Sequence, residues 1–411
     1  MFSTNDFFDK GKLSIVMDAS AGSSGKGKVG SFIAEHADNF QFCANTFAPQ
    51  AGHWVRLDDG TSYFYQSLNS CAYLHEKFER MYIGPGAIIE KPAFFREIEE
   101  NGIPRSKIKI SPITQVLQDI DGNFERGLCC LDGKPIDYEG IAIKSGTTAH
   151  GVGACRARKV LRRSNVLLAR DDEDLKEFIA DVPAEIMDRL EAGEAGLMEI
   201  AQGFQLSMGL SDFYPYTTSR NVTVAAGLDD LMIPPVYAGQ VLLNCRTYPI
   251  RINSKKYVAE DGRHLTWDEI QSGKWEYRIE ESYSGPWYDD QVEIDWDKVT
   301  RMGGSPEQIM EMTSVTKMPR RVFTWSKKNL HDAILHNRTG SRVGICINFA
   351  NYIDYELTGR RGDLIQLTDK FKGWMRHNVF PVMDEMNTLF AGQFRVSYIG
   401  TGAKTDDMIQ I

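Results

Sequence analysis

Gly22-Ser23-Ser24-Gly25-Lys26-Gly27-Lys28 carries the densest chemical signal in the chain. Glycines at this spacing let successive backbone N–H groups face one concavity. A helix N-terminus placed after them adds positive potential, so the segment suits phosphate oxygens. Lys26 and Lys28 contribute mobile cationic charge. The run fits G-x-x-x-x-G-K, yet Val29 stands where the usual phosphate loop has the hydroxyl that holds magnesium. Taken alone, the run also fits a Gly-rich structural turn. A second candidate is His53, which closes Gln50-Ala51-Gly52-His53. A histidine can move protons near neutral pH, although a lone one is more often structural.

These residues need elements to position them. Leu13 to Met17 is a short apolar run that reads as a buried strand, and Val29 to His36 reads as the helix after the loop. Arg80 to Gly84, Ile108 to Ile110, Leu197 to Ala201 and Arg342 to Asn348 also read as extended. Glu90 to Asn101 has helical spacing and stops at Gly102. Asp171 to Glu194 reads as a charged amphipathic helix interrupted by Pro183, and Asn378 to Phe390 as another helix. Strands alternating with helices point to an α/β core.

Composition narrows the function classes. The chain has 411 residues with 47 Lys plus Arg against 56 Asp plus Glu, a net charge of -9. That balance disfavours broad nucleic-acid binding, while local basic loops can still take small anions. No apolar stretch approaches the roughly 20 residues of a membrane span, and Met1 to Lys12 lacks the apolar centre of a signal peptide. Seven scattered cysteines form no C-x-x-C pair, which fits a reducing cytoplasm. The expectation is a single domain over 1–411, with a Trp-rich insertion at 253–301 that holds four of the seven tryptophans.

The motifs, taken together, resemble the adenylosuccinate synthetases. That family carries G-D-E-G-K-G-K after its first strand and then N-A-G-H, in the order seen here. Gly146-Thr147-Thr148-Ala149-His150-Gly151-Val152-Gly153, the pair Arg162-Arg163, Ala201-Gln202-Gly203 and Tyr214 to Asn221 are similar to further family motifs. Thr316 to Arg321 and Gly400 to Thr405 continue the match to the C-terminus. The resemblance implies a P-loop-like α/β fold with a large, mostly parallel central sheet and peripheral insertions. It also implies a ligase in which a nucleoside triphosphate phosphorylates a purine 6-oxygen and L-aspartate then displaces the phosphate.

The same resemblance assigns roles residue by residue. Ser23, Lys26 and His53 would be catalytic. Gly22, Ser24, Gly25, Gly27, Lys28, Asn348, Phe349, Asn351, Gly400 and Gly402 would hold the triphosphate nucleotide. The purine monophosphate would lie on Ser23, Gln50, Thr147, Thr148, Gln202, Leu206 and Thr218. Arg162 would reach it from a partner subunit, which implies a homodimer. Val315, Thr316 and Arg320 would bind aspartate, where a guanidinium fork suits carboxylates. Ser23 and Gly52 would hold Mg²⁺.

Four departures fall on substrate readers. Ser23 replaces the aspartate that takes the N1 proton of hypoxanthine; a shorter neutral side chain leaves room for the C2 amine of guanine. Met318 replaces an arginine near the ribose, which fits a 2′-deoxyribose. Phe349 and Asn351 replace the Lys-x-Asp pair that reads GTP, and an amide suits the adenine edge. Gln50 replaces the asparagine of N-A-G-H. These changes resemble the phage branch of the family, the 2-aminoadenylosuccinate synthetases. The implied reaction joins L-aspartate to C6 of dGMP with ATP or dATP, in the host cytoplasm, for 2-aminoadenine DNA. The competing expectations are an ordinary adenylosuccinate synthetase using IMP and GTP, or a catalytically dead nucleotide-binding regulator.

Overall fold

A computed structural model describes residues 9–134, 149–210, 212–261, 263, 265–281, 283–313, 317–391 and 393–411. Its largest sheet has nine strands, numbered here in chain order: β1 Leu13–Asp18, β2 Phe40–Asn45, β3 Arg80–Ile83, β4 Ile108–Ile110, β5 Ala195–Gly203, β6 Ala238–Arg246, β7 Val343–Asn348, β8 Phe394–Gly400 and β9 Met408–Gln410. The order across the sheet is β9-β8-β7-β6-β1-β5-β2-β3-β4. Pairing is parallel except at the β8–β9 edge. The α/β fold expected from the sequence is therefore present.

Both faces of this sheet are covered. Leu13, Ile15 and Met17 of β1 pack into one hydrophobic cluster, while Val16 packs into the other. Burial on two sides explains why the strand reads as a continuous apolar run rather than an alternating one. From β1 the chain enters helix α1, Lys26–His36, and returns as β2, with β5 lying between the two strands. β6 lies on the other side of β1. Such a switch in strand order opens a crevice at the carboxyl ends, where α/β sheets bind ligands.

Two local expectations change. Asp171 to Glu194 is not one interrupted helix: Glu173–Phe178 is a 3₁₀ segment and Val182–Glu191 is a separate helix with Pro183 in its first turn. Proline is accommodated there because a first-turn N–H has no intrahelical acceptor. The stretch 253–301 also divides. Its hairpin, Lys255–Ala259 against Tyr277–Glu281, is peripheral, and Trp275 and Ile279 are exposed. By contrast, Trp296 lies in the core and donates from Nε1 to the Arg320 carbonyl at 2.8 Å. Among the described residues no helix is long and apolar enough to cross a membrane.

Candidate active site

The Ser/Gly loop leaves β1 and enters α1 through Gly25, whose φ is 87°. Its close approach to β5 depends on Gly203, where a Cβ would collide with the Ser20 carbonyl and the Gly22 nitrogen. Asn348 closes the loop from β7 by donating Nδ2 to the Ser24 carbonyl at 2.7 Å. Much of this amide is thus spent on holding the loop, a structural task beyond the nucleotide contact expected of it. Gly400 admits it, since a Cβ there would strike Asn348 Oδ1.

Neither lysine is mobile as the sequence suggested. Lys26 is buried and its ammonium lies 3.0 Å from Asp18 Oδ2. Lys28 is buried and donates to the carbonyls of Gly402 and Asp407 at 2.8 and 2.7 Å. Burial pushes the Lys28 ammonium down to about 8, with Cys346 and Asp407 partly offsetting it. Burying an ammonium is costly unless it is partnered, so these pairings fix both charges at the loop.

His53 opens the hairpin His53–Arg56/Ser62–Tyr65, and its ring stacks on Phe47 at a centroid distance of 4.2 Å. Gly52 fits beside Phe64 only because it lacks a Cβ. His53 Nδ1 lies 3.1 Å from Glu199 Oε1, and both side chains are buried. Glu199 Oε2 accepts from the Ser70 hydroxyl and, at 3.2 Å, from the Ser70 N–H. Burial pushes the Glu199 carboxyl up, but His53, Lys26 and Ser70 together hold it below the ordinary value. The other ring nitrogen, His53 Nε2, is buried and has no hydrogen-bond partner among the described residues. A ring oriented from one nitrogen and left open at the other is built to meet a reacting group.

Other orphaned polar atoms belong to the same segments. Asp18 Oδ1, Gln50 Oε1, Asn348 Oδ1 and Asn351 Oδ1 are buried with no hydrogen-bond partner among the described residues. Native proteins satisfy nearly all such atoms, so each needs a specific explanation, such as a ligand. Backbone strain gathers in these segments too. Of eight described non-glycine residues with positive φ, six are Ser23, Ala149, Arg162, Gln202, Lys317 and Phe349, all within the motifs. Left-handed backbone at such residues costs energy and concentrates at functional sites.

The remaining expected residues have defined places. Ser23 is exposed, whereas Met318 is buried. Leu206 and Thr218 meet through the Thr218 N–H donating to the Leu206 carbonyl at 2.8 Å. Arg320 is half-buried and donates from Nε to the Met312 carbonyl at 3.3 Å. Arg162 is exposed just beyond helix Val152–Val160. Thr147, Thr148, Val315 and Thr316 lie outside the described residues. The sequence reading missed Asp18, Glu199 and Arg246. Asp18 closes β1, Glu199 lies within β5 and Arg246 closes β6; all three are charged yet fully or almost fully buried, which requires partners.

Known proteins resemble this chain in sequence and in fold. The adenylosuccinate synthetase sequence profile matches residues 15–169. The N6-succino-2-amino-2'-deoxyadenylate synthase of Salmonella phage PMBT28 is 27% identical over 358 residues, spanning 84% of this chain and 86% of that protein. The enzyme of the same name from Cyanophage S-2L is 28% identical over 361 residues, spanning 86% of each. The solved Cyanophage S-2L succinoaminodeoxyadenylate synthetase (PurZ), bound to dGMP and to dATP as an energy donor, superposes with a TM-score of 0.71 at 25% identity, covering 97% of this chain and 95% of that one. Fully ligated adenylosuccinate synthetase from Plasmodium falciparum shares the fold, with a TM-score of 0.67 at 17% identity over 98% of this chain and 100% of its own. Motif order, fold and relatives converge: the chain is similar to the adenylosuccinate synthetases, whose profile matches its residues 15–169.

Proposed function

We propose that this protein is a carbon–nitrogen ligase that joins L-aspartate to C6 of dGMP, spending ATP or dATP and releasing N6-succino-2-amino-2'-deoxyadenylate, (d)ADP and phosphate. The observation that carries the reading is the buried His53–Glu199 pair at the phosphate loop, with Nε2 left without a partner. In the first step the purine 6-oxygen takes the γ-phosphoryl group, (d)ADP departs, and the N1 proton passes to a triphosphate oxygen, since Ser23 offers no carboxylate. In the second, the aspartate amine bonds to C6 and the C6–O bond breaks, releasing phosphate. Both steps build charge on oxygens, where positioned donors lower the barrier. His53 supplies such a donor at Nε2, and Glu199 offsets the charge the ring then carries. Lys26 and Lys28 supply fixed positive charge to the triphosphate oxygens.

The choice of purine and energy donor follows the departures. Exposed Ser23 leaves room beside the guanine C2 amine, where a carboxylate would crowd it. The unpaired Asn351 Oδ1 suits the adenine amine, and the same side chain offers an N–H to a ring nitrogen. Buried Met318 contributes no donor for a 2′-hydroxyl.

The oxygen-rich donor set also fits Mg²⁺, a hard ion that favours oxygen and substrate phosphates: Asp18 Oδ1 is buried and unpaired next to the loop. Ser23 and Gly52 would hold the ion, which when bound neutralises phosphate charge. Exposed Arg162 fits a role across a homodimer interface, reaching the monophosphate of the partner's site. Its product serves 2-aminoadenine DNA, so the enzyme acts in the cytoplasm of a phage host.

The test is a grid of IMP, GMP and dGMP against ATP, dATP and GTP, with aspartate and Mg²⁺, following succino-nucleotide formation. Product from dGMP with ATP or dATP is expected. Preference for IMP with GTP would return the chain to ordinary adenylosuccinate synthesis, and no product from any pair would favour a nucleotide-binding regulator.

A further inference from the structure

Arg246 ends β6, and its guanidinium is fully buried. Its hydrogen bonds run in three directions. Nη1 donates to the Ser23 carbonyl at 2.8 Å, reaching the strained residue of the phosphate loop. Nη1 and Nη2 form a fork on the Glu311 carboxylate. Nε donates to the Tyr248 carbonyl at 2.7 Å. The guanidinium also lies over the Phe349 ring, 4.0 Å from its centroid.

Glu311 extends the connection. Its carboxylate accepts from the Tyr352 hydroxyl at 3.1 Å, and its carbonyl accepts from the Arg320 N–H at 2.8 Å. Burial pushes the Glu311 carboxyl up, but Arg246, Arg320 and Tyr352 together hold it below the ordinary value. One ion pair thus touches the Ser23 loop, the segment carrying Arg320, and the Phe349–Tyr352 turn.

We propose that Arg246 and Glu311 form a positioning strut that sets Ser23 and Arg320 relative to one another, and so governs both purine discrimination and aspartate binding. The inference rests on the functional reading above. A planar five-donor guanidinium can serve Ser23, Glu311 and Tyr248 at once while stacking on Phe349; an ammonium cannot reproduce that set.

Arg246→Lys keeps the charge and removes the fork. With purified full-length protein, Mg²⁺ and ATP, the aspartate KM should rise about tenfold, and the dGMP-over-IMP preference in kcat/KM should fall about tenfold. A merely structural role would lower kcat through the active fraction and leave both quantities unmoved. Tyr352→Phe removes one hydroxyl from Glu311 and serves as the milder variant. It should raise the aspartate KM about threefold, with thermal stability within a few degrees of wild type. Unchanged aspartate KM and unchanged purine preference in Arg246→Lys would overturn the strut. Should that variant not fold, an unchanged aspartate KM in Tyr352→Phe would do so. If wild-type protein prefers IMP, the functional reading fails, while the strut is still judged by the aspartate shift with IMP as substrate. If wild type makes no product, calorimetric affinities for dGMP, IMP and aspartate replace the kinetic constants under the same criteria.

Discussion

His53, which opens a hairpin strand beside Gly27 of the phosphate loop, and Asn351, on the turn that follows β7, are held in opposite ways. His53 is buried, stacked on Phe47 and backed by Glu199, which is itself held by Ser70. Asn351 is half-buried on a single 3₁₀ turn, Ala350–Tyr352, that follows left-handed Phe349. The first arrangement is over-determined, because moving any member leaves a buried charge or polar group unpaired. The second is a short backbone turn presenting one amide. Chemistry on this scaffold should therefore fail steeply when altered, whereas nucleotide selection should shift by degrees.

The largest effect expected is that of His53→Asn, with turnover on dGMP falling about 10²- to 10⁴-fold while calorimetric dGMP affinity changes little. A drop of only a few-fold would erase the contrast between the two regions. Glu199→Gln keeps the shape and removes the charge behind the ring. Its turnover should fall about a hundredfold, measured in the same steady-state assay. A Glu199→Gln enzyme as fast as wild type would leave His53 acting alone.

Ser23→Asp comes next, and it probes the loop between the two regions. Crowding of the C2 amine should cut dGMP turnover by roughly tenfold or more. An unaffected rate would show that the side chain at 23 does not face the purine.

On the reading side, Asn351→Asp should reduce the preference for ATP over GTP by about tenfold without loss of turnover at saturating nucleotide. A collapse of turnover instead would mean that this turn is part of the catalytic assembly.

The smallest expected change is in pH dependence. Free Lys28 titrates at about 8, so its ammonium is present below that pH and lost above it. A polyphosphate binds the charged form. Affinity for ATP should thus be about twofold weaker at pH 8, and about tenfold weaker at pH 9, than at pH 7. Lys28→Arg keeps its charge and should flatten the profile in titration calorimetry.

By itself the sequence determined the loop that follows β1, the order of the motifs along the chain, and the five positions where the substrate readers depart. These are local facts: glycine spacing, apolar runs and residue identity are legible within a few positions of one another. Several strands escaped such reading. β6 carries buried Gln240, Asn244 and Arg246 among its apolar residues, so no clean run announces it. Only the tertiary structure decided the partners. Asp18 meets Lys26, Glu199 meets His53, Asn348 holds Ser24, and Arg246 meets both Ser23 and Glu311. Except for Asp18 and Lys26, these pairs join residues from distant parts of the chain. Residue type alone says that a buried charge needs a partner. Which partner it finds depends on the order of parallel strands that brings their carboxyl ends to one crevice.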